Sequence, residues 1–223
     1  MPRLPHFVLL AVAVAALAAP LPAFAVEAPA AAPSTRAHDQ AVQVPAGKLI
    51  QDLGDHAIKL IADKQLSAEQ RTSEFSKILR DSFDLKTIGR FVIGRTWNAA
   101  TPEQQNDYME MFKALVIRNY GERMTLYTGE GFQVVGTRPE SDMDTTVLSQ
   151  ITHPDGSKPT TIDWRVRQKD NKLGVIDVVV EGVSLSVTQK QEYASVIQNN
   201  GGQIDGLLQT MRSQLKTPAQ ASK

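Results

Sequence analysis

Cysteine is absent from the 223-residue chain, which removes disulfides, thiol nucleophiles, iron–sulfur clusters and zinc–thiolate sites from consideration. Histidine is almost as scarce. His6, His38, His56 and His153 are the four present, and no two stand at the spacing of a metal-binding pair, so no metal site is expected. Charge of one sign is not in surplus either, because 24 Lys and Arg balance 24 Asp and Glu. A chain that holds nucleic acid by neutralising phosphates needs a basic excess, so nucleic acid is not an expected partner. Nucleophile-elbow, phosphate-loop and dinucleotide-binding glycine motifs are missing too, which leaves no catalytic constellation and no cofactor site to nominate.

Long hydrophobic runs are limited to one, Phe7 to Ala19. It is shorter than the roughly 20 residues a membrane-spanning helix requires. Arg3 precedes it and Ala23-Phe24-Ala25 follows it, the charged, apolar and small-residue order of a secretion signal. Residues 1–25 are therefore expected to be cleaved, leaving Val26 first in an exported protein. No cysteine follows the cleavage site, so lipid attachment there is excluded. Removing Arg3 leaves 23 basic against 24 acidic residues, a mature net charge of about −1.

Residues 26–46 are rich in Ala and Pro without an apolar period and read as a flexible tether; residues 217–223 read as a disordered tail. Between them, 47–216 form the expected domain. Up to about Leu126 the pattern is helical: Ile50, Leu53, Ala57, Ile58 and Ile61 form one stripe. Ser67 with Gln70 opens a second helix as a capping box, Asp84 caps a third, and Thr101-Pro102-Glu103-Gln104 starts a long fourth. After Gly129 the period becomes two, with strands expected over 131–138, 144–152, 160–169 and 173–181. Helical spacing returns over 188–199 and 203–215. Helices, then a four-stranded antiparallel meander, then helices make an α+β fold. Helices from both ends of the chain can cover one face of a curved sheet, and a cavity forms wherever side chains leave that space unfilled.

One carboxylate invites a catalytic reading. Asp177 lies in an apolar strand beside Asp163, and a carboxylate driven into an apolar cavity can act as a general base. Simple alternation places Ile176, Val178 and Val180 on one face and Asp177 on the other. A structural role, paired with Arg165 or Arg167 or a backbone N–H, is favoured over an isomerase or hydrolase.

Two stretches carry more information. Residues 83–120 read FDLKTIGRFVIGRTWNAATPEQQNDYMEMFKALVIRNY, and residues 163–184 read DWRVRQKDNKLGVIDVVVEGVS. The Phe83-Asp84 pair, the Val92, Gly94, Arg95 and Trp97 segment, the T-P-E-Q cap and Asp177 to Ser184 together resemble the MlaC or toluene-tolerance (Ttg2-type) family of periplasmic phospholipid-binding proteins. The resemblance spans about residues 48–215. Where a Trp often precedes the I-D-V segment in that family, this chain has Leu173-Gly174; after Ser184 its SLSVTQKQEY run is more similar to the hopanoid-associated HpnM subgroup.

The resemblance implies an NTF2-like fold enclosing an apolar pocket, with acyl chains inside and the headgroup near the mouth. It also implies a periplasmic, monomeric, non-enzymatic carrier of phospholipid or hopanoid-type lipid between outer and inner membranes. The partners implied are an inner-membrane ABC transporter complex and an outer-membrane lipoprotein/porin complex. The apolar faces that must converge on such a pocket supply its expected lining. Helical contributions are Phe91, Phe112, Leu115, Val116, Tyr120 and Met124, and the strands give Ile162, Trp164, Val166, Ile176, Val178 and Val180. The C-terminal helices add Tyr193 and Ile197. Asp177, Glu181, Gly182 and Ser184 are assigned structural roles, with Asp177 and Glu181 expected to pair with arginines and Gly182 to permit a bend. Besides an Asp177 enzyme, the rival reading is a periplasmic adaptor or chaperone with an exposed apolar patch.

Overall fold

The computed structural model describes residues 33–121 and 129–216. Five helices come first: α1 (Pro33–Ala62), α2 (Ala68–Ser82), α3 (Leu85–Ile93), α4 (Thr96–Ala99) and α5 (Pro102–Gly121). Strands β1 (Gly131–Pro139), β2 (Asp144–Thr152), β3 (Thr160–Lys169), β4 (Lys172–Val180) and β5 (Val183–Ser184) follow, then α6 (Leu185–Asn199) and α7 (Ile204–Lys216). The expected signal segment and tail lie outside the described residues.

The helix starts follow from capping chemistry. Gln70 N donates to Ser67 Oγ at 3.2 Å while Ser67 N donates to Gln70 Oε1 at 2.8 Å, the reciprocal bonds that satisfy two orphan amides. Thr101 and Gln104 make the same exchange at 3.3 and 3.0 Å, and Thr87 N donates to Asp84 Oδ1 at 2.9 Å. At the N-terminus the structure differs from the expected tether: α1 already runs through Pro33–Ala46, with Pro45 inside it and Ala46 fully buried. Ala and Gln supply helix propensity there, and the buried Ala46 gives tertiary contact that carries the helix past the proline.

The sheet is an antiparallel meander in the order β1-β2-β3-β4-β5. It has five strands rather than four, because Val183–Ser184 turns back to pair with Val179 and Val180. Glu181 (φ 48°) and Gly182 (φ 81°) make that turn, as Asp170 (φ 52°) and Asn171 (φ 58°) make the one before it. Two consecutive positive φ values give a turn whose twist matches that of the strands it joins. Two register shifts, at Val134/Gly136 on β1 and opposite Arg165/Val166 on β4, bend the sheet as extra residues in one strand do.

The second shift corrects the simple alternation. Val166 pairs with Val175 and Arg165 with Asp177, so Ile176 is the residue left without a partner on β3. Val175, not Ile176, shares the face of Val178, and it is fully buried.

Two apolar clusters result. One joins α1, α2 and the concave sheet face through Ile50, Leu53, Phe75, Leu79, Val147, Val166 and Val175. The other is helical, built by α3, α5, α6 and α7 around Tyr108, Phe112, Leu115, Tyr193, Leu207 and Met211. Val116 on α5 packs against both.

Candidate functional site

Of the two apolar clusters, the sheet-side one keeps the larger share of its members half-buried. At its centre the Trp164 ring meets Phe83 edge-on at 6.4 Å and Phe132 at 6.3 Å. All three rings are only half-buried, so the trio is not sealed as a solid core would be. Phe132 lies so close to α1 that a Cβ at Gly54 would fall 2.1 Å from its ring; a side chain there would expel the ring. Polar atoms on this face are satisfied internally. Trp164 Nε1 donates to Ser149 Oγ at 2.9 Å, and Ser149 Oγ donates to the Ile162 carbonyl at 2.8 Å. The wall therefore offers hydrocarbon and aromatic surface with few free polar groups, a surface suited to an acyl chain and poorly suited to a charged substrate.

The expected lining residues are distributed unevenly. Trp164, Val166 and Val178 belong to the sheet-side cluster with Val116. Ile162 and Val180 pair directly on that same sheet face and are half-buried. Phe112, Leu115, Tyr193 and Ile197 instead sit in the helical cluster at 3, 3, 8 and 7 % exposure. There Tyr108 stacks on Phe112 at 5.7 Å and meets Tyr193 edge-on at 6.4 Å. Phe91 and Tyr120 are exposed, at 44 and 38 %, and the Lys190 ammonium lies 4.5 Å over the Phe91 ring. Ile176 is the unpaired residue noted above, and Met124 lies outside the described residues. Phe83, Phe132, Ile117 and Leu66 join the sheet side without having been nominated. The alternation of Phe132 with Val134 on β1 was the available signal for one of them.

Asp177 does not face that wall. It is opposite Arg165 in register, and its oxygens accept from Val178 N at 2.9 Å, Ser184 Oγ at 2.6 Å and Ser186 N at 3.1 Å. The expected arginine pairing is thereby corrected: Arg167 is engaged by Asp144, bidentate at 2.7 and 2.6 Å, because the two stand opposite each other on β2 and β3. Glu181 likewise accepts from Thr161, at 2.5 Å from N and 2.9 Å from Oγ1, and among the described residues pairs with no arginine. Ser184 caps α6 by accepting from Val187 N at 3.1 Å. Asp177 thus ties β4 to the start of α6, and its acceptors are occupied by the fold itself.

Burial pushes the Tyr193 hydroxyl up to about 12 and raises that of Tyr108 as well; the Tyr108 hydroxyl donates to the Gly89 carbonyl at 2.9 Å. The hydrogen bonds that Arg167 donates to Asp144 hold its guanidinium above its ordinary value. A separate cleft of about 340 Å³ between α5 and α7 is lined by Asp107, Glu110, Met111, Arg212, Leu215 and Lys216 and shares no residue with the expected lining. Among the described residues no group of His, Asp and Glu is placed to hold a metal, and no helix is long and apolar enough to cross a membrane.

Comparison with known proteins fixes the family. The sequence matches the family described as MlaC protein over residues 51–213. This chain belongs to the MlaC protein family. One relative is the toluene tolerance protein ttg2D of Pseudomonas putida, 21 % identical over 172 residues, which cover 74 % of this chain and 80 % of that one. Another is the intermembrane phospholipid transport system binding protein MlaC of Haemophilus influenzae, 22 % identical over 177 residues, covering 76 % and 82 %. Among solved structures, the phospholipid-binding protein of Ralstonia solanacearum, determined in complex with a phospholipid, superposes with a TM-score of 0.66 at 27 % identity. That match covers 77 % of this chain and 99 % of the other. The α+β architecture, with its antiparallel sheet and covering helices, is therefore one that this chain shares with the Ralstonia phospholipid-binding protein.

Proposed function

We propose that this protein is a periplasmic lipid carrier that takes acyl chains against the concave sheet face and moves them between the outer and inner membranes. The observation that carries this reading is the half-buried Phe83–Trp164–Phe132 wall, in a family whose Ralstonia relative is solved with a phospholipid. The lining in this reading centres on Trp164, Val166, Val178, Val180, Ile162 and Val116, with Phe112, Leu115, Tyr193 and Ile197 acting mainly as the solid support behind it.

The physical need is large. An acyl chain of about 16 carbons resists transfer into water by about 12 kcal/mol, so a two-chain lipid does not cross an aqueous gap unaided at a useful rate. A carrier must replace bilayer by an apolar wall without gripping so hard that release fails. A lining whose polar atoms are already bonded to one another meets both demands. The occupied Asp177 oxygens favour the non-enzymatic reading over an isomerase or hydrolase. In this proposal cargo is received from an outer-membrane lipoprotein/porin complex and delivered to an inner-membrane ABC transporter complex, in keeping with the phospholipid transport system named for the Haemophilus relative. The phospholipid of the Ralstonia complex makes phospholipid the first candidate cargo; a hopanoid-type lipid is the alternative, on the likeness of the Ser184–Tyr193 run to the HpnM subgroup.

The test is mass spectrometry of an organic extract from protein exported to the periplasm and purified without detergent. Phospholipid or hopanoid near one molecule per chain is the expected result, and its mass identifies the cargo. A lipid-free protein that also takes up no lipid from vesicles overturns the carrier reading.

A further inference from the structure

Charge is balanced over the whole chain, 24 against 24, yet it is not balanced around the seam between α3 and α6. From Leu85 through Thr101 the sequence contains Lys86, Arg90 and Arg95 and no carboxylate. From Leu185 through Gln191 it contains Lys190 and again no carboxylate. The two stretches pack together, since α3 lies against α6. A Cβ at Gly94, in the turn that follows α3, would lie 3.6 Å from Lys190 Cε.

All four cations are exposed, and none takes part in an ion pair among the described residues, where the four ion pairs involve Lys48, Arg138, Arg167 and Arg212. The nearest acid in sequence, Glu192, lies on the other side of α6 from Lys190, about 160° round at 100° per residue. It accepts from Gln189 instead. Asp84, at the opposite end of α3, is engaged by Thr87.

Apolar side chains stand among these cations. Phe91 is 44 % exposed and Val187 is 42 % exposed, with Val187 one turn before Lys190 on α6. Lys190 lies 4.5 Å over the Phe91 ring and Arg90 lies 5.2 Å over that of Trp97. The long stems cover aromatic surface and carry the charge outward. Exposed aromatic and branched apolar side chains, beside cations that no acid among the described residues pairs with, have the composition of a surface that rests in the headgroup region of an anionic bilayer. There the apolar tips enter the acyl boundary and the cations meet phosphates.

We infer that the α3–α6 face, through Lys86, Arg90, Phe91, Arg95, Val187 and Lys190, docks this protein reversibly on the surface of anionic phospholipid membranes. The proposal goes beyond the carrier reading and adds to it a way of holding the protein at a membrane. It does not depend on which lipid occupies the interior. Each cation near an anionic surface strengthens binding about fivefold, so four give attachment that is firm at low ionic strength and released by salt.

The test is co-sedimentation of the mature protein with vesicles of phosphatidylglycerol mixed into phosphatidylcholine, against vesicles of phosphatidylcholine alone, at low and high salt. Binding to the anionic vesicles only, weakened by salt, is expected. The double variant Arg95→Gln/Lys190→Gln should lose about 25-fold in partitioning, and Phe91→Ala should weaken it further. Lys77→Glu, on the exposed side of α2, should change it far less. These positions are exposed, so unchanged circular dichroism is expected to confirm that the variants remain folded; Arg95→Gln alone, expected to lose about fivefold, serves if the double variant does not fold. Equal binding to neutral vesicles, undiminished binding by folded charge variants, or no vesicle binding at all overturns the docking face and leaves a protein partner as the ligand for this patch. Lipid content is measured on the same samples. A protein that carries lipid but ignores anionic vesicles refutes the docking face alone, whereas one that docks but is empty and takes up no lipid from the vesicles refutes the carrier reading alone.

Discussion

The two apolar clusters of this protein are made of similar residues and do different things with them. Among the described residues the helical cluster has twelve buried members and seven half-buried ones, whereas the sheet-side cluster has ten and ten. In the helical cluster Tyr108, Leu207 and Met211 are fully buried, and the aromatic rings close on one another. On the sheet side Phe75 is buried, but Phe83, Phe132 and Trp164 stay partly open although they touch. The difference teaches how one small domain can be rigid and still keep apolar surface available. Ridge-in-groove helix packing reaches interior density, while on the sheet face that packs with α1 and α2 half of the cluster stays half-buried.

Breaking the solid side should cost most. Leu207→Ala is expected to destabilise the protein by about 3–4 kcal/mol, the cost of a cavity that packed helices cannot collapse, read from urea unfolding. Lipid content of the protein that remains folded should be unchanged; a loss of lipid equal to the loss of stability would mean that the two clusters are one functional unit.

Next is the joint between them. Asp177→Ala leaves the Ser184 hydroxyl and the Ser186 amide without their acceptor, which should cost about 2–3 kcal/mol and loosen α6 in hydrogen exchange. Asp177→Asn keeps one acceptor and should still carry lipid; loss of function with an intact fold would return Asp177 to a chemical role.

A matched pair of enlargements sharpens the contrast. Leu115→Trp, on the solid side, should cost about 1–3 kcal/mol through overpacking and leave lipid content alone in whatever folds. Val178→Trp, on the open side, should reduce bound lipid by at least about half at a smaller stability cost. Mass spectrometry of extracts and thermal unfolding decide it, and identical outcomes at the two sites would erase the distinction.

The smallest effect is electrostatic. Burial raises the Asp84 carboxyl, but the Thr87 hydroxyl and amide with the charges of Lys169 and Arg167 outweigh it and hold the group below its ordinary value. A carboxyl depressed in the folded state contributes stability that is present above the unfolded value of about 3.9 and lost as pH falls through the folded one. Asp84→Ala should cost about 1 kcal/mol at neutral pH, the worth of a helix cap. Asp84→Asn, which can still cap, should keep most of that stability and flatten its decline toward acid pH in unfolding curves measured across that range.

The elements were legible in the sequence because their signals are local. Ser67 with Gln70 and Thr101 with Gln104 announce helix starts by chemistry confined to four residues, and both pairs bond as the pattern requires. The meander was equally visible, since period two over 144–152 and 160–169 depends only on which residues alternate. Failures occurred where one residue shifts a register. The extra residue at Ile176 puts Val175 on the concave face, and no count of alternating positions reveals a bulge. Phe91 shares the apolar periodicity of its helix and is nonetheless exposed beneath Lys190, because periodicity reports that a face is apolar without reporting what covers it.

What the sequence determined by itself is the order of the longer helices and strands, their caps and the likeness to a family, all properties of short runs whose physics is complete within a few turns or strands. What only the tertiary structure decided is which apolar residues become solid core and which remain half-open. Phe112 and Trp164 look alike as large apolar side chains on amphipathic elements, yet one is sealed in the cluster with α6 and α7 and the other, on the sheet itself, stays half-buried beside Phe83 and Phe132. Burial is a property of the partner surface and its curvature, and the partner lies far along the chain.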